Sequence, residues 1–88
     1  MTPIVHVMWT PWAAAHIWDR HKISIEEVEA ACFDPASRLI RGRDGRHVVL
    51  GRTEAGRYLL IIGVLRASRF RVISAREMTK RERQILRK

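Results

Sequence analysis

Apolar residues recur at helical spacing at the start of the chain. Thr10 and Pro11 supply an N-cap followed by a proline at the first helical position, so the pattern predicts a helix from Thr10 to His21. Ala14, Trp18 and His21 are four and three residues apart, which places these side chains along one stripe of that helix.

A second helix is predicted directly afterwards. Ser24 and Glu27 have the spacing of a capping box, and Ile23 and Val28 have the spacing of a hydrophobic staple around it. Asp34-Pro35 ends this helix because the residue before a proline disfavours helical geometry. The side chains expected to face the core are Ile25, Val28 and Cys32.

After Pro35 the pattern becomes extended, with short apolar runs separated by turn residues. Four strands are predicted over residues 37–41, 46–53, 57–66 and 69–76, and residues 4–9 are a candidate edge strand. The third of the four is apolar on both faces, which indicates a central strand with helices over one side and room for a partner over the other. In the last strand, simple alternation places Phe70, Val72 and Ser74 on one face together with Arg76.

A second capping box, Thr79 to Glu82, predicts a short helix at the end of the chain. This helix has too little apolar surface to dock firmly, so we expect it to be frayed or fixed by another chain. The predicted fold class is therefore α+β, with residues 1–88 as a single domain. Two N-terminal helices pack on a four- to five-stranded antiparallel sheet, and a short C-terminal helix follows.

The charge is unevenly distributed. Residues 1–37 carry a net charge of −3 and residues 38–88 carry +11, which together give +8, and fourteen of the seventeen basic residues are arginine. Guanidinium groups match phosphate in a bidentate way, so this distribution favours a phosphate-rich or acidic partner. The alternative is a GC-rich genome that uses arginine in place of lysine throughout.

Several classes of protein are excluded by the sequence. The chain has no apolar stretch of the roughly 18 to 20 residues that a membrane helix needs, and no N-terminal export signal, so we expect a cytoplasmic protein with no membrane partner. Its single cysteine, Cys32, fits a reducing compartment and is expected to be a small buried side chain. Neither zinc-ligand spacing nor a glycine-rich nucleotide loop is present, so we expect no metal and no cofactor.

The remaining chemistry is that of histidine, arginine and carboxylate. His21, at the end of the first predicted helix, is a candidate for proton transfer, and the alternative is a histidine that caps the helix C-terminus. Tryptophans at helical spacing beside alanines favour core positions, although Trp9, Trp12 and Trp18 could instead stack on bases.

Arginines gathered on a sheet need an anionic complement. Cleavage of RNA without a metal requires alignment of the 2′-hydroxyl, removal of its proton, stabilisation of charge on the phosphoryl oxygens and protonation of the leaving oxygen. Arginine suits the charge stabilisation, and histidine or glutamate suits the proton transfers. The alternative is a basic face that only binds nucleic acid or an acidic protein segment.

Two segments, residues 19–27 and residues 71–83, resemble the signatures of the BrnT family of type II toxins. The first resembles the family's basic-His-Gly-aliphatic-Ser-aromatic-Glu-Glu pattern. The second is similar to the family's strand-to-helix ending Arg-aliphatic-Ile-Ser-Ala-Arg followed by a Thr-x-x-Glu-Arg cap. Gly51-Arg52 and Gly56-Arg57 match the turn that joins two apolar strands between these segments, and the resemblance covers nearly the whole chain after Trp9.

The resemblance implies a bacterial endoribonuclease toxin with a fold like that of RelE-type toxins, which cleaves RNA and slows translation and growth. It further implies a cognate ribbon-helix-helix antitoxin, and contact with promoter DNA only through the complex of toxin and antitoxin. Association with the ribosome and a homodimer within that complex stay open. The matching candidate catalytic residues are His21, Arg76 and Glu82. The candidate phosphate-binding residues are Arg52, Arg57 and Arg71.

Three positions depart from the family pattern. Thr10 replaces the usual aspartate, Ile17 replaces a frequent asparagine, and Lys22 replaces the glycine that usually follows the histidine. Two further hypotheses therefore stay open beside the toxin. One is a noncatalytic RNA-binding or ribosome-associated module, and the other is an inactive toxin homologue that keeps the fold and the partner.

Overall fold

The computed structural model describes residues 4–87. The chain ends that the sequence analysis included in its single domain, residues 1–3 and Lys88, lie outside the described residues. No described helix has the length and apolar character needed to span a bilayer. The elements are β1 (His6–Met8), α1 (Pro11–His21), α2 (Ile25–Cys32), β2 (Arg38–Arg41), β3 (Arg46–Arg52), β4 (Tyr58–Arg66), β5 (Arg69–Glu77) and α3 (Lys80–Arg87).

Both ends of α1 are fixed by local hydrogen bonds. The Thr10 hydroxyl accepts a hydrogen bond from the Ala13 amide at 3.1 Å, which satisfies a free donor of the first turn. Lys22 ends the helix in the left-handed conformation at φ 53°, and its amide donates to the Trp18 carbonyl at 2.9 Å. The predicted helix is therefore confirmed at both ends.

The capping box that opens α2 is also confirmed. The Ser24 hydroxyl accepts from the Glu27 amide at 3.1 Å, and the Glu27 carboxylate accepts from the Ser24 amide at 2.9 Å. Ile23 and Val28, the two predicted staple residues, are buried. Together they fix the angle at which α2 leaves α1.

The five strands form one sheet in the order β1-β5-β4-β3-β2. Strands β2 to β5 run antiparallel to their neighbours as predicted, but β1 pairs with β5 in parallel. The sheet is therefore mixed rather than wholly antiparallel. β1 and β5 can run parallel because two helices and three strands of the chain separate them, far more than the dozen or so residues that a parallel connection needs.

A one-residue bulge in β5 changes the predicted alternation of that strand. Ser74 pairs with Ile62 and Val72 pairs with Gly63, so Ile73 is the extra residue. The bulge shifts the phase of the pleat, and Ala75 instead of Ser74 shares the buried face with Val72. The prediction that put Arg76 on the same face as Phe70 and Val72 is wrong for this reason.

The main core lies between the sheet and the helices α1 and α2. The helices contribute Ile17, Val28 and Cys32, and the facing strands contribute Val49, Leu59, Ile61, Phe70, Val72 and Ala75. Burial raises the pKa of the Cys32 thiol to about 12, so this cysteine is a core residue and not a nucleophile at neutral pH. The predicted burial of Cys32 is confirmed.

The opposite side of the sheet, here called the open face, is only partly covered. Leu50, Leu60 and Met78 form a second buried cluster, against which Leu86 of α3 packs. The terminal helix is thus held by its own chain, contrary to the expectation that it would be frayed or fixed by a partner. The apolar surface on which α3 docks is formed by Leu50, Leu60 and Met78, which precede the helix in the chain. The sequence of the helix alone therefore could not show that it would be held.

Three side chains expected in the core are exposed. Trp12 is 67% exposed, Trp18 is 53% exposed and Ile25 is 38% exposed. α1 contacts the sheet through Ala13 and Ile17, which lie on a different stripe from the one predicted. Of the three tryptophans, Trp9 packs against the main core, so the preference for core positions is wrong for the two on α1.

The first prediction concerns the closest approach of α2 to β3, at Gly51. A Cβ added to Gly51 would overlap the Ala31 carbonyl group, so Gly51→Ala must push α2 away from the sheet. We expect a loss of about 1 to 3 kcal/mol in the free energy of unfolding, measured by urea denaturation.

The control for Gly51→Ala is Gly45→Asn. Gly45 has a φ of 74°, a Cβ added there would meet nothing within 4 Å, and asparagine tolerates this conformation. An unchanged midpoint for Gly51→Ala would show that α2 does not pack as closely as described.

Candidate functional site

Arg57 lies immediately before β4 and is the centre of a charged junction. Its Nε donates to the Glu77 carboxylate at 2.7 Å, and its Nη1 donates to both carboxylate oxygens of Glu27 at 3.1 Å. Glu77 comes from the end of β5 and Glu27 from the first turn of α2. One guanidinium group therefore connects the sheet to the second helix.

The same guanidinium group also closes the end of α1. Nη1 of Arg57 donates to the Lys22 carbonyl at 2.8 Å, and Nη2 donates to the His21 carbonyl at 3.2 Å. These carbonyls lie at the C-terminus of the helix, where the backbone dipole favours a cation. The predicted phosphate-binding residue Arg57 is therefore fully engaged within the protein.

The ionisation of the junction follows from these contacts. The hydrogen bond to Glu77 raises the pKa of Arg57, and the bond to Glu27 adds to this. The Ser24 amide bond, with help from Arg57, lowers the pKa of Glu27. All of these contacts favour the charged forms, so the junction is stable as an ionic cluster at neutral pH.

Arg76 forms a second, separate ion pair on the open face. Its Nη1 and Nη2 donate to the two carboxylate oxygens of Glu82 at 2.8 Å each, a bidentate arrangement. Glu82 also accepts from the Thr79 amide at 2.8 Å. These bonds, led by the one from Arg76, lower the pKa of Glu82 to about 2. In this arrangement Glu82 is ionised but weakly basic.

Arg52 completes a group of cations around one aromatic ring. Its guanidinium carbon lies 5.6 Å from the centre of the Tyr58 ring, and that of Arg83 on α3 lies 6.0 Å from the same centre. Tyr58 pairs with Arg52 across the strands, and Leu60, two residues further along β4, pairs with Arg76. The cross-strand pair Arg52–Tyr58 and the cross-strand pair Leu60–Arg76 therefore lie on the same face of the sheet, about 7 Å apart along the strands.

We call Arg52, Tyr58, Arg76, Glu82 and Arg83 the arginine-tyrosine cluster. Sequence reasoning missed two of its members, Tyr58 and Arg83. The alternation of β4 puts Tyr58 on the face of Leu60, and Arg83 follows Glu82 on the terminal helix, but the side on which that helix docks could not be read from its residues. Within the described residues, no group of three or more His, Cys, Asp or Glu side chains is arranged to hold a metal ion.

The structure does not bring all six predicted site residues together. Arg52, Arg76 and Glu82 share the cluster, whereas Arg71 pairs with Val64, four residues beyond Leu60 on β4 and about 13 Å away along the sheet. His21 lies in the helical layer on the other side of the sheet, where its carbonyl accepts from Arg57. Lys22, not His21, has the conformation of the helix cap.

Comparison with known proteins agrees with this architecture. Residues 9–82 match the family model described as "Ribonuclease toxin, BrnT, of type II toxin-antitoxin system". The chain belongs to the BrnT family. This confirms the resemblance found in the sequence, and membership of a type II toxin-antitoxin family implies an antitoxin as partner.

A solved structure is similar as well. The ribonuclease toxin BrnT of Brucella abortus superposes with a TM-score of 0.69 at 14% sequence identity, over 85% of this chain and 97% of that one. At this identity the likeness shows the shared α+β fold. No curated protein sequence matches the chain significantly.

The second prediction concerns the pH dependence of the Arg76–Glu82 pair. Because the pKa of Glu82 is lowered on folding, the pair stabilises the protein above the ordinary carboxyl pKa of 4.5, and this contribution is lost as the pH falls towards 2. The Arg76 side chain is 42% exposed, so solvent screening limits the effect to about 1 kcal/mol.

The measurement is the free energy of unfolding between pH 7 and pH 2 for the wild type and Glu82→Gln. The gap between the two proteins should close as the medium becomes acidic. A gap that stays constant across this range would show that the carboxylate charge of Glu82 contributes nothing.

The third prediction concerns the Arg57 junction. Arg57→Lys keeps the charge, but one ammonium group cannot reach Glu27, Glu77 and two carbonyls at once. We expect a loss of about 1 to 3 kcal/mol in unfolding free energy, since polar groups are left unpaired beside the core. Arg71→Lys is the matched control on an exposed part of the sheet, and equal stabilities for both variants would contradict the structural role of Arg57.

Proposed function

We propose that this chain is a cytoplasmic, metal-independent endoribonuclease toxin that cleaves RNA and thereby inhibits translation and growth. The observation that carries the proposal is the arginine-tyrosine cluster. Two guanidinium groups, those of Arg52 and Arg83, lie beside the Tyr58 ring on the open face, and neither forms an ion pair among the described residues. Arg76 lies one row further along the same face. Family membership supports the same reaction class.

In the proposed reaction the ribose 2′-oxygen attacks the adjacent phosphorus, and the bond from phosphorus to the 5′-oxygen breaks. The proton of the 2′-hydroxyl passes to a base, the 5′-oxygen receives a proton, and a 2′,3′-cyclic phosphate remains. Arg76 would neutralise the charge that builds on the phosphoryl oxygens, and Arg52 would hold a neighbouring phosphate. Tyr58 offers a ring on which a base can stack.

Removal of the 2′-hydroxyl proton is assigned to Glu82, and the 5′-oxygen takes its proton from solvent. A phosphate that takes the place of Glu82 on Arg76 removes the main cause of the low pKa of Glu82, so its carboxylate becomes more basic when RNA binds. His21 is exposed at the end of α1, on the helical side of the sheet, and is assigned no step in this reaction. We propose Arg57 as a positioning residue, because its bond to Glu77 holds the end of β5 next to Arg76, and Arg71 as a phosphate contact away from the reaction.

We further propose a cognate ribbon-helix-helix antitoxin, through which the pair contacts its promoter DNA. The strongly basic part of the chain, net +11 over residues 38–88, supports an acidic antitoxin segment as the neutralising partner. A homodimer within the complex and association with the ribosome are compatible with the same basic surface.

The fourth prediction tests the reaction directly. Purified protein should cleave RNA in the presence of a metal chelator, and its induced expression should arrest growth. Arg76→Gln and Glu82→Gln should each lower the cleavage rate by about 10² or more, because each removes a group that acts in the transition state, whereas His21→Ala should leave the rate unchanged. The melting temperature of each variant shows whether the fold is intact.

Arg81→Gln is the matched control, since Arg81 is exposed on α3 and lies outside the cluster. Cleavage that survives Arg76→Gln and Glu82→Gln would remove the assignment of the site. RNA binding without cleavage in the wild type would favour the noncatalytic module, and neither binding nor cleavage would favour the inactive homologue.

A further inference from the structure

A second basic site lies at the end of the sheet opposite the arginine-tyrosine cluster. There the turns that follow β2 and β4 enclose an open groove of about 750 Å³, reached also by Met8 of β1. Val64, Leu65 and Met8 form its apolar part. Four arginines surround it, namely Arg41, Arg66, Arg69 and Arg71.

The arginines of this groove differ from Arg57 and Arg76 in their electrostatic state. Asp44 is the carboxylate that lines the groove, and no ion pair joins it to an arginine among the described residues. Arg57 and Arg76, by contrast, are each held by carboxylates. The groove thus presents guanidinium groups that are available to an anion from solution.

The β4–β5 hairpin, which forms one side of the groove, contains two features that lower the stability of the fold. Arg66 and Arg69 pair directly across β4 and β5, and like charges in this position repel each other. The two residues between them, Ala67 and Ser68, have φ values of 49° and 67°, a conformation that glycine or asparagine adopts more easily. A bound anion would offset the repulsion between the two guanidinium groups.

We propose that this groove binds backbone phosphates of a single-stranded RNA, as a second contact remote from the cleavage site. The proposal rests on the proposed function. Arg71 and the Arg66–Arg69 pair lie in rows two residues apart, about 7 Å, which suits successive phosphates of an extended strand. Arg66 and Leu60 are six residues apart on β4, and Leu60 pairs with Arg76. The groove and Arg76 are therefore about 20 Å apart along the sheet.

An acidic protein segment is the competing occupant. The arrangement favours RNA because Arg66, Arg69 and Arg71 lie on the same face of β4 and β5 as Arg76, separated from it by the uncharged row of Ile62 and Ser74, so one strand could contact both. The apolar part of the groove also suits a base or ribose better than it suits a run of carboxylates. An RNA strand that reaches both sites would be held by the groove while Arg76 acts on it.

The fifth prediction compares Arg66→Gln/Arg69→Gln with Arg20→Gln/Arg81→Gln. Both double variants lose two positive charges, but Arg20 and Arg81 are exposed and distant from the groove. The probe is a 2′-O-methylated, uncleavable RNA of about 12 nucleotides, long enough for both sites. The groove variant should bind about tenfold more weakly than the control, with a shallower salt dependence by about 0.7 for each lost phosphate contact.

Two further readouts separate binding from folding and from chemistry. The melting temperature of the groove variant should equal or exceed that of the wild type, since the repulsion across the hairpin is removed. With a cleavable strand of the same length, KM should rise and kcat should stay unchanged, whereas cleavage of a dinucleotide should not change at all.

Equal affinity and equal salt dependence for the two double variants would overturn the proposal and leave the proposed function standing. A loss of affinity for a polyglutamate peptide without a loss for RNA would overturn it in favour of a protein partner. A wild-type protein that neither binds nor cleaves RNA would refute the proposed function, and the RNA groove with it.

Discussion

The arrangement of the chain depends on the guanidinium group of Arg57. It bonds the carboxylates of Glu27 and Glu77 and the carbonyls at the end of α1, so α1, α2 and the end of β5 meet at the residue that precedes β4. A small domain has limited apolar surface with which to fix such elements. Burial of this group opposes its charged form, but the planar fork reaches four acceptor groups at once, and the bonds to Glu77 and Glu27 raise the pKa of Arg57 in spite of that cost.

The bulge at Ile73 determines which charges face which side of the sheet. Beyond it, Glu77 faces the helices and meets Arg57, whereas Arg76 faces the open side and meets Glu82. Without the extra residue the two would exchange sides, and the junction would lose one of its carboxylates. The same irregularity thus serves stability on one face and supplies a cation to the candidate site on the other.

Local signals in the sequence were sufficient to predict most of the elements. Ser24 and Glu27, or Thr79 and Glu82, contact each other within one helical turn, so their spacing alone predicts the cap. The bulge, the parallel pairing of β1 and the exposure of Trp18 depend on partners far along the chain, which no local pattern contains. The candidate site was accordingly predicted in part, because its residues converge only through the docking of α3.

The positions that depart from the family pattern bear on where the chemistry lies. Thr10 caps α1 as an aspartate would, Ile17 is 1% exposed in the main core, and Lys22 takes the left-handed conformation that glycine adopts more readily. All three lie on α1 or at its ends, on the helical side of the sheet. The strand and helix that carry Arg76 and Glu82 keep the family pattern, and this contrast favours the open face over the helical side as the location of the proposed RNA cleavage.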